Sequence, residues 1–172
     1  MNENLILVNE HDQQYGTAEK LEVHRQGMLH RAFSILIYNN QGEMLLQQRA
    51  DGKYHSAGKW GNACCGHPQD GEALDKAAHR RLYEELGFDT ALYPVVSLIY
   101  KAELERGMVE HEYVHLLRGV YEGKIYPNIQ EVQAIKWVDL ENLKKDMRMH
   151  PDHYAKWFMI YATKYWPQIS AA

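Results

Sequence analysis

Between Gly66 and Phe88 the chain reads GHPQDGEALDKAAHRRLYEELGF, which sets Glu72, Arg80, Arg81, Glu84 and Glu85 at helical spacing. Arg80 and Glu84 stand four residues apart, as do Arg81 and Glu85, so each pair shares a helix face. Taken alone these are exposed ion pairs, each worth about 0.3–0.5 kcal/mol. Beside a glycine-containing loop, carboxylates on a helix also suit a magnesium diphosphate, because Mg2+ prefers oxygen donors and retains waters and substrate phosphates. Glu110 and Glu112 stand two apart in VEHEYVHLL, so on a strand they share one face while His111 takes the other. An edge strand exposing polar residues is one reading. The apolar neighbours Val109, Tyr113, Val114, Leu116 and Leu117 favour another, in which paired carboxylates are compensated by a cation or by protonation. His24, His30 and His67 flank segments that the fold would bring together, and Cys65 lies two residues before His67. Three imidazoles with one or two carboxylates suit zinc or manganese. A structural zinc held by Cys64 or Cys65 with the same histidines competes with that reading, although no C-x-x-C pair is present.

These groups need particular elements to position them. Leu74, Ala78, Leu82 and Leu86 recur every four residues, giving an apolar helical stripe, and Gly87 is placed to end that helix. Leu5 to Val8 predicts a short strand and Asn9 to Gly16 a polar turn, after which Thr17 is placed to cap a brief helix carrying Lys20 and His24. His30 opens a strand whose core is Ala32 to Tyr38, and after the turn Asn39 to Gly42 the run Met44 to Gln48 returns as its hairpin partner, delivering Arg49. Ala50 to Gly61 mixes glycine with Lys53 and Lys59, a loop where phosphate could bind, with Trp60 as its anchor. Val95 to Leu104 and Val109 to Val120 predict a second hairpin through Glu105-Arg106-Gly107. A strand from Val132 to Val138 follows, then a helix from Leu140 to Met147 and a final helix from Pro151 to Tyr165. The fold class is α/β (α+β), a mixed sheet covered by helices on both faces.

A length of 172 residues fits a single domain with a substantial core. With 45% hydrophobic and 24% charged residues and a net charge of −4, neither nucleic acid nor an anionic membrane is indicated as a partner, and an anionic substrate would need locally concentrated cations. No apolar run approaches the roughly twenty residues of a membrane span, and MNENLILVNEHD lacks the features of a signal peptide. Adjacent Cys64 and Cys65 disfavour a structural disulfide and predict reduced thiols in a cytoplasmic setting. The sequence leaves the oligomeric state open.

The spacing from Gly66 to Phe88 resembles the Nudix box, Gx5Ex7REUxEExGU, with Arg81 where a glutamate is expected. Within that family, Trp60 to Pro68, WGNACCGHP, is similar to the W-x-N-x-x-C-G-H-P signature of type 1 isopentenyl diphosphate isomerases, and Glu110-His111-Glu112 to their E-x-E motif. The likeness runs from Lys20 to Trp157 and implies a Nudix-type α/β/α sandwich. It further implies Cys65 and Glu112 as the catalytic pair, with Tyr100 and Trp157 as active-site aromatics. His24, His30, His67, Glu110 and Glu112 become ligands of Zn2+ or Mn2+, and Glu85 contacts Mg2+ bound with the diphosphate. Lys20, Arg49, Lys53 and Arg81 match the diphosphate-binding cations of a small-molecule isoprenoid diphosphate substrate. The implied reaction protonates an alkene to a tertiary carbocation through Glu112, assisted by Tyr100, and removes a proton from the opposite face through the Cys65 thiolate, with the direction left open by the sequence. The cation would rest on the Trp157 π face, a contact worth roughly 0.5–2 kcal/mol. Exchanging a box carboxylate for the Arg81 guanidinium removes a metal ligand and adds a phosphate contact, which favours isomerisation over hydrolysis. A Nudix pyrophosphohydrolase stands second, and a metal-stapled binding domain third.

Overall fold

Residues 3–171 are described in this computed structural model. In chain order they form β1 (Asn4–Val8), β2 (Gln14–Glu19), α1 (Lys20–Gln26), β3 (His30–Tyr38), β4 (Met44–Arg49), β5 (Trp60–Asn62), β6 (Cys64–Gly66) and α2 (Leu74–Leu86). Then follow β7 (Tyr93–Glu103), β8 (Val109–Val120), β9 (Val132–Val138), α3 (Leu140–Met149), α4 (Lys156–Lys164) and α5 (Trp166–Ser170), with 3-10 turns at Glu105–Gly107 and Pro151–His153.

The period of two along β3 sends side chains into two separate cores. Phe33, Ile35 and Ile37 pack with Leu45, Ala78, Leu82 and Leu86, so α2 covers that face of the sheet. Ala32, Leu36 and Tyr38 pack with Leu143, Trp157, Phe158 and Tyr161, so α3 and α4 cover the other. β3 runs parallel to β8 from the pair His30 and Glu112 to the pair Tyr38 and Val120, and antiparallel to β6, where Ser34 faces Cys65. β7 completes a hairpin with β8. The result is the expected mixed sheet between helical layers.

Four local expectations are corrected. Thr17 caps nothing, because Gln14–Glu19 pairs with β1, and the cap of α1 is Glu19, whose side chain accepts from Glu22 N at 3.1 Å. β3 and β4 meet only at Tyr38 and Met44, since β4 turns away to pair with β9 and β5. The loop expected from Ala50 to Gly61 ends at Lys59, because Trp60 and Gly61 belong to β5; β5 and β6 are not marked by sequence periodicity because each is three residues long. The final helix is divided: Ala155 N bonds Trp60 O at 2.8 Å, which holds the backbone extended before α4. Pro167 cannot continue α4, because it has no N–H to donate and its ring would clash with the carbonyl four residues back, and Tyr165, at φ −126°, breaks the helix between Lys164 and Trp166.

Gly87 ends α2 in the left-handed conformation, φ 72°, its N–H bonded to Tyr83 O at 2.9 Å. Gly66 is required for a different reason, close packing of β6 against α2. A Cβ there would lie 2.8 Å from Phe33 Cζ and 3.1 Å from Arg81 Cγ. Gly66→Ala is therefore expected to cost about 1–3 kcal/mol, lowering Tm by roughly 2–10 °C. Thermal unfolding followed by circular dichroism checks this, and an unchanged Tm would show that the ring and the guanidinium stem move aside freely.

Candidate active site

Strand register places three chemical groups in one row. His30 lies opposite Glu112 on β8, and Glu112 lies opposite Tyr100 on β7. Alternation along β8 points Glu110 and Glu112 inward together and leaves His111 to bond Gly27 O on the other side at 3.0 Å. The Tyr100 hydroxyl lies 2.9 Å from Glu110 Oε2 and 2.8 Å from Glu112 Oε2. A hydroxyl has one proton, so the second carboxylate needs a proton or a cation of its own. Burial, reinforced by the Glu112 charge, pushes Glu110 well above the usual carboxylate range. Burial acts on Glu112 in the same sense, but the His30 and His67 rings outweigh it and hold that carboxyl well below the usual range. His67 Nε2 stands 3.2 Å from Glu112 Oε1, and His30 Nε2 3.6 Å.

The histidines converge from three elements. His24 on α1, His30 on β3 and His67 beyond β6 bring their rings to centroid separations of 5.1 Å (His24 and His30), 5.0 Å (His30 and His67) and 6.1 Å (His24 and His67). Backbone carbonyls fix two of the rings: His24 Nδ1 lies 2.7 Å from Lys20 O and His30 Nδ1 2.9 Å from Met28 O. That network assigns the proton to Nδ1 in both, leaving each Nε2 lone pair aimed inward. Neither Nε2 has a hydrogen-bond partner among the described residues, though both rings are fully buried. Burial lowers His24, and burial with the neighbouring Lys20 lowers His67 to about 4 despite Glu112, which favours the neutral, ligating form of those two rings. The donor atoms of His24, His30 and His67 all lie within 4.8 Å of one another. Orphaned inward nitrogens, neutral rings and neighbouring carboxylates fit a divalent ion.

Cys65 and Cys64 separate across β6. Cys64 faces the α2 core with Phe33 and Leu82 and is fully buried, so it serves as the small filler and not as a zinc ligand. Cys65 faces the pocket, its Sγ 3.2 Å from Ser34 Oγ and 3.4 Å from Asn62 Oδ1. Ser34 Oγ in turn lies 2.9 Å from Tyr161 OH. Burial pushes the Cys65 thiol up to about 12 against the Ser34 and Asn62 hydrogen bonds, with the Glu112 charge adding to the rise. Trp157 forms a buried wall of the same pocket.

A band of cations lines the mouth of this cavity of about 460 Å³. Lys20 pairs with Glu3 at 2.7 Å and Lys53 with Glu131. Arg81 bonds Glu84 Oε2 at 2.7 Å and Glu85 Oε1 at 2.5 Å, and Arg80 bonds Glu72 at 2.7 Å and 2.9 Å. The ion-pair reading of α2 is thus correct, and Arg81 and Glu85 line the pocket as well. Glu85 is buried, with Oε2 accepting from Gln47 Nε2 at 2.8 Å. Arg49 differs from the rest: among the described residues it has no carboxylate partner, and its guanidinium lies 5.3 Å from the Trp157 ring centroid.

Every expected site residue therefore falls in or directly behind one cavity. Sequence reasoning missed His55, Tyr54, Ser34, Tyr161, Gln47 and Glu131. Ser34 carried a signal, a lone hydroxyl inside the apolar run RAFSILIY, whereas Tyr161 looks like any core aromatic of a helix.

Comparison with known proteins follows the same lines. A family model described as NUDIX domain matches residues 28–158. An isopentenyl-diphosphate Delta-isomerase 2 of Photorhabdus laumondii is 51% identical over 158 residues, 92% of this chain and 89% of its own. An isopentenyl-diphosphate Delta-isomerase of Burkholderia multivorans is 47% identical over 158 residues, 92% of this chain and 90% of its own. Among solved structures, a Deinococcus radiodurans protein superposes with a TM-score of 0.78 at 18% identity, covering 95% of this chain and 99% of its own, which is a likeness of fold.

Proposed function

Because the chain belongs to the NUDIX family, among relatives named isopentenyl-diphosphate Delta-isomerases, we propose that it is an enzyme that interconverts isopentenyl diphosphate and dimethylallyl diphosphate, acting as one domain. The observation that carries the mechanism is the meeting, in one cavity, of a thiol and a carboxylate–tyrosine pair beside a band of cations. β6 and β8 both pair with β3, so Cys65 and Glu112 approach from its two sides. Glu112, assisted by Tyr100, delivers a proton to the terminal alkene carbon, leaving a tertiary cation. Cys65 removes a proton from the neighbouring methylene, and the electron pair of that C–H bond forms the new alkene. Only one of the two groups holds a transferable proton at a time: the protonated Cys65 thiol facing an ionised Glu112 described above is the state that starts the reverse reaction, and the forward reaction starts with the proton on Glu112 and the thiol ionised. The buried Trp157 face steadies the cation, and the wall formed by α4 excludes the water that would trap it.

In this reading His24, His30, His67, Glu110 and Glu112 hold Zn2+ or Mn2+, and Glu85 contacts Mg2+ carried by the diphosphate. When bound, the first ion orients Glu112 and sets its acidity, and the second offsets phosphate charge. Lys20, Arg49, Lys53 and Arg81 bind the diphosphate, exchanging carboxylate partners for phosphate oxygens where they have them. The two free thiols are in keeping with a reducing, cytoplasmic setting.

Arg49→Ala is expected to raise KM about 10–100-fold with little change in kcat, because a charge-assisted hydrogen bond contributes roughly 1.5–3 kcal/mol. Steady-state kinetics check it, and an unchanged KM would remove Arg49 from the diphosphate site. The reaction itself is tested by incubating isopentenyl diphosphate with the protein and Mg2+, then assaying the acid-labile allylic product and inorganic phosphate in parallel. Product without phosphate supports the isomerase, and phosphate release would make the protein a pyrophosphohydrolase.

A further inference from the structure

His55 lines the same cavity from the loop between β4 and β5, and it is buried. Its Nδ1 lies 3.3 Å from Ser56 Oγ. Its carbonyl oxygen accepts from Arg49 Nε and Nη2, each at 3.4 Å. The rings of Tyr54 and Trp157 meet it edge to face, at centroid separations of 4.5 Å and 6.0 Å. Ser56, the next residue, is held at φ 52°, a left-handed conformation that costs a non-glycine residue energy and persists only where the surroundings impose it. The loop is therefore bent so as to bring this imidazole inward.

The inward atom is Nε2. It stands 3.8 Å from Glu110 Oε1, beyond hydrogen-bonding distance. The donor atoms of His55, Glu110 and His24 all lie within 4.8 Å of one another, and His24 is also a member of the trio with His30 and His67. Donors bound about 2.0–2.2 Å from one ion lie at most about 4.4 Å apart, so pairs near 4.8 Å close by a few tenths of an ångström if they face each other across the ion and by about 1 Å if they are adjacent. Buried imidazole and carboxylate donors that face one another without hydrogen bonding are costly unless a cation lies between them.

We propose that His55 is a further ligand of the divalent ion held by His24, His30, His67, Glu110 and Glu112, donating through Nε2. The proposal rests on the metal reading of that site and extends it. The added donor favours an ion that accepts six ligands over one that prefers four, so Mn2+ or Co2+ fits better than tetrahedral Zn2+. It also ties the loop that carries Lys53, and whose His55 carbonyl accepts from Arg49, to the metal centre, linking metal loading to the cation band.

The test loads the full-length protein with Co2+ and records its proton NMR spectrum in H2O, where every coordinated imidazole that keeps an N–H gives a hyperfine-shifted, exchangeable resonance. The wild type is expected to show one such resonance from each of His24, His30, His55 and His67. His55→Ala should lose one and keep the others, which also shows that the variant folds, and its Kd for Co2+ should rise about 10–100-fold. His55→Gln, which better preserves volume, should show the same loss. Identical sets of shifted resonances in wild type and both variants would overturn His55 as a ligand while leaving the three-histidine site intact. Absence of any shifted resonance in the wild type, with no Co2+ retained after dialysis, would overturn the metal reading and this proposal with it.

Discussion

Cys65→Ala is expected to lower kcat by about 10²–10⁴-fold while leaving the Kd for substrate within about threefold of the parent. The thiol is placed by a chain of hydroxyl contacts, Cys65 Sγ to Ser34 Oγ at 3.2 Å and Ser34 Oγ to Tyr161 OH at 2.9 Å. Its removal leaves the cations of the pocket mouth in place, so binding and turnover separate. The small void left by sulfur costs little stability beside the loss of the only thiol that faces the pocket. Isothermal titration with substrate, together with single-turnover kinetics, gives both numbers. Near-normal turnover would remove Cys65 from the chemistry, and a collapse of binding with unchanged single-turnover rate would make it a packing residue.

The second large effect is expected at Glu112. Glu112→Gln keeps the side-chain shape and the approach of Tyr100, which lies 2.8 Å from Oε2, but a carboxamide neither gives nor takes the proton. Turnover should fall by about 10²–10⁴-fold. Unlike Cys65→Ala, this variant should also loosen the bound divalent ion by about 10–100-fold, because Glu112 stands 3.2 Å from His67 Nε2 and 3.6 Å from His30 Nε2. Metal analysis after dialysis, run beside the kinetics, distinguishes the two roles. Restoration of activity by excess metal alone would reduce Glu112 to a ligand, and full activity without added metal would exclude it from both roles.

Much of this site is legible in the sequence where local spacing is also spatial neighbourhood. Alternation makes Glu110 and Glu112 share a face whatever the rest of the chain does, and the four-residue repeat of Ala78, Leu82 and Leu86 makes α2 present Arg81 and Glu85 together. Convergence of His24, His30 and His67 is not a local property. It follows from β1 and β6 both pairing with β3, which brings His67 and the helix α1 after β2 to the end of β3 where His30 lies, and no spacing along the chain reports that. β2 is not legible because half of its residues, QYGTAE, are exposed, none is buried and they carry no apolar alternation, so its existence depends on the edge that β1 offers. The divided terminal helix was hidden for a related reason: the hydrogen bond from Ala155 N to Trp60 O overrides helical propensity locally. His55 lies in a loop that mixes glycine with cations, where an imidazole has no periodic frame to fix its direction.

The most direct measurement of the central claim is proton NMR of isopentenyl diphosphate incubated with the metal-loaded protein in D2O. Dimethylallyl diphosphate carrying deuterium in the methyl group formed from the terminal alkene carbon is expected, together with exchange at the methylene and no inorganic phosphate. Isomerised product without deuterium would contradict protonation and deprotonation by groups that exchange with solvent. Phosphate without isomerised product would contradict the assignment of Cys65 and Glu112 as an acid–base pair.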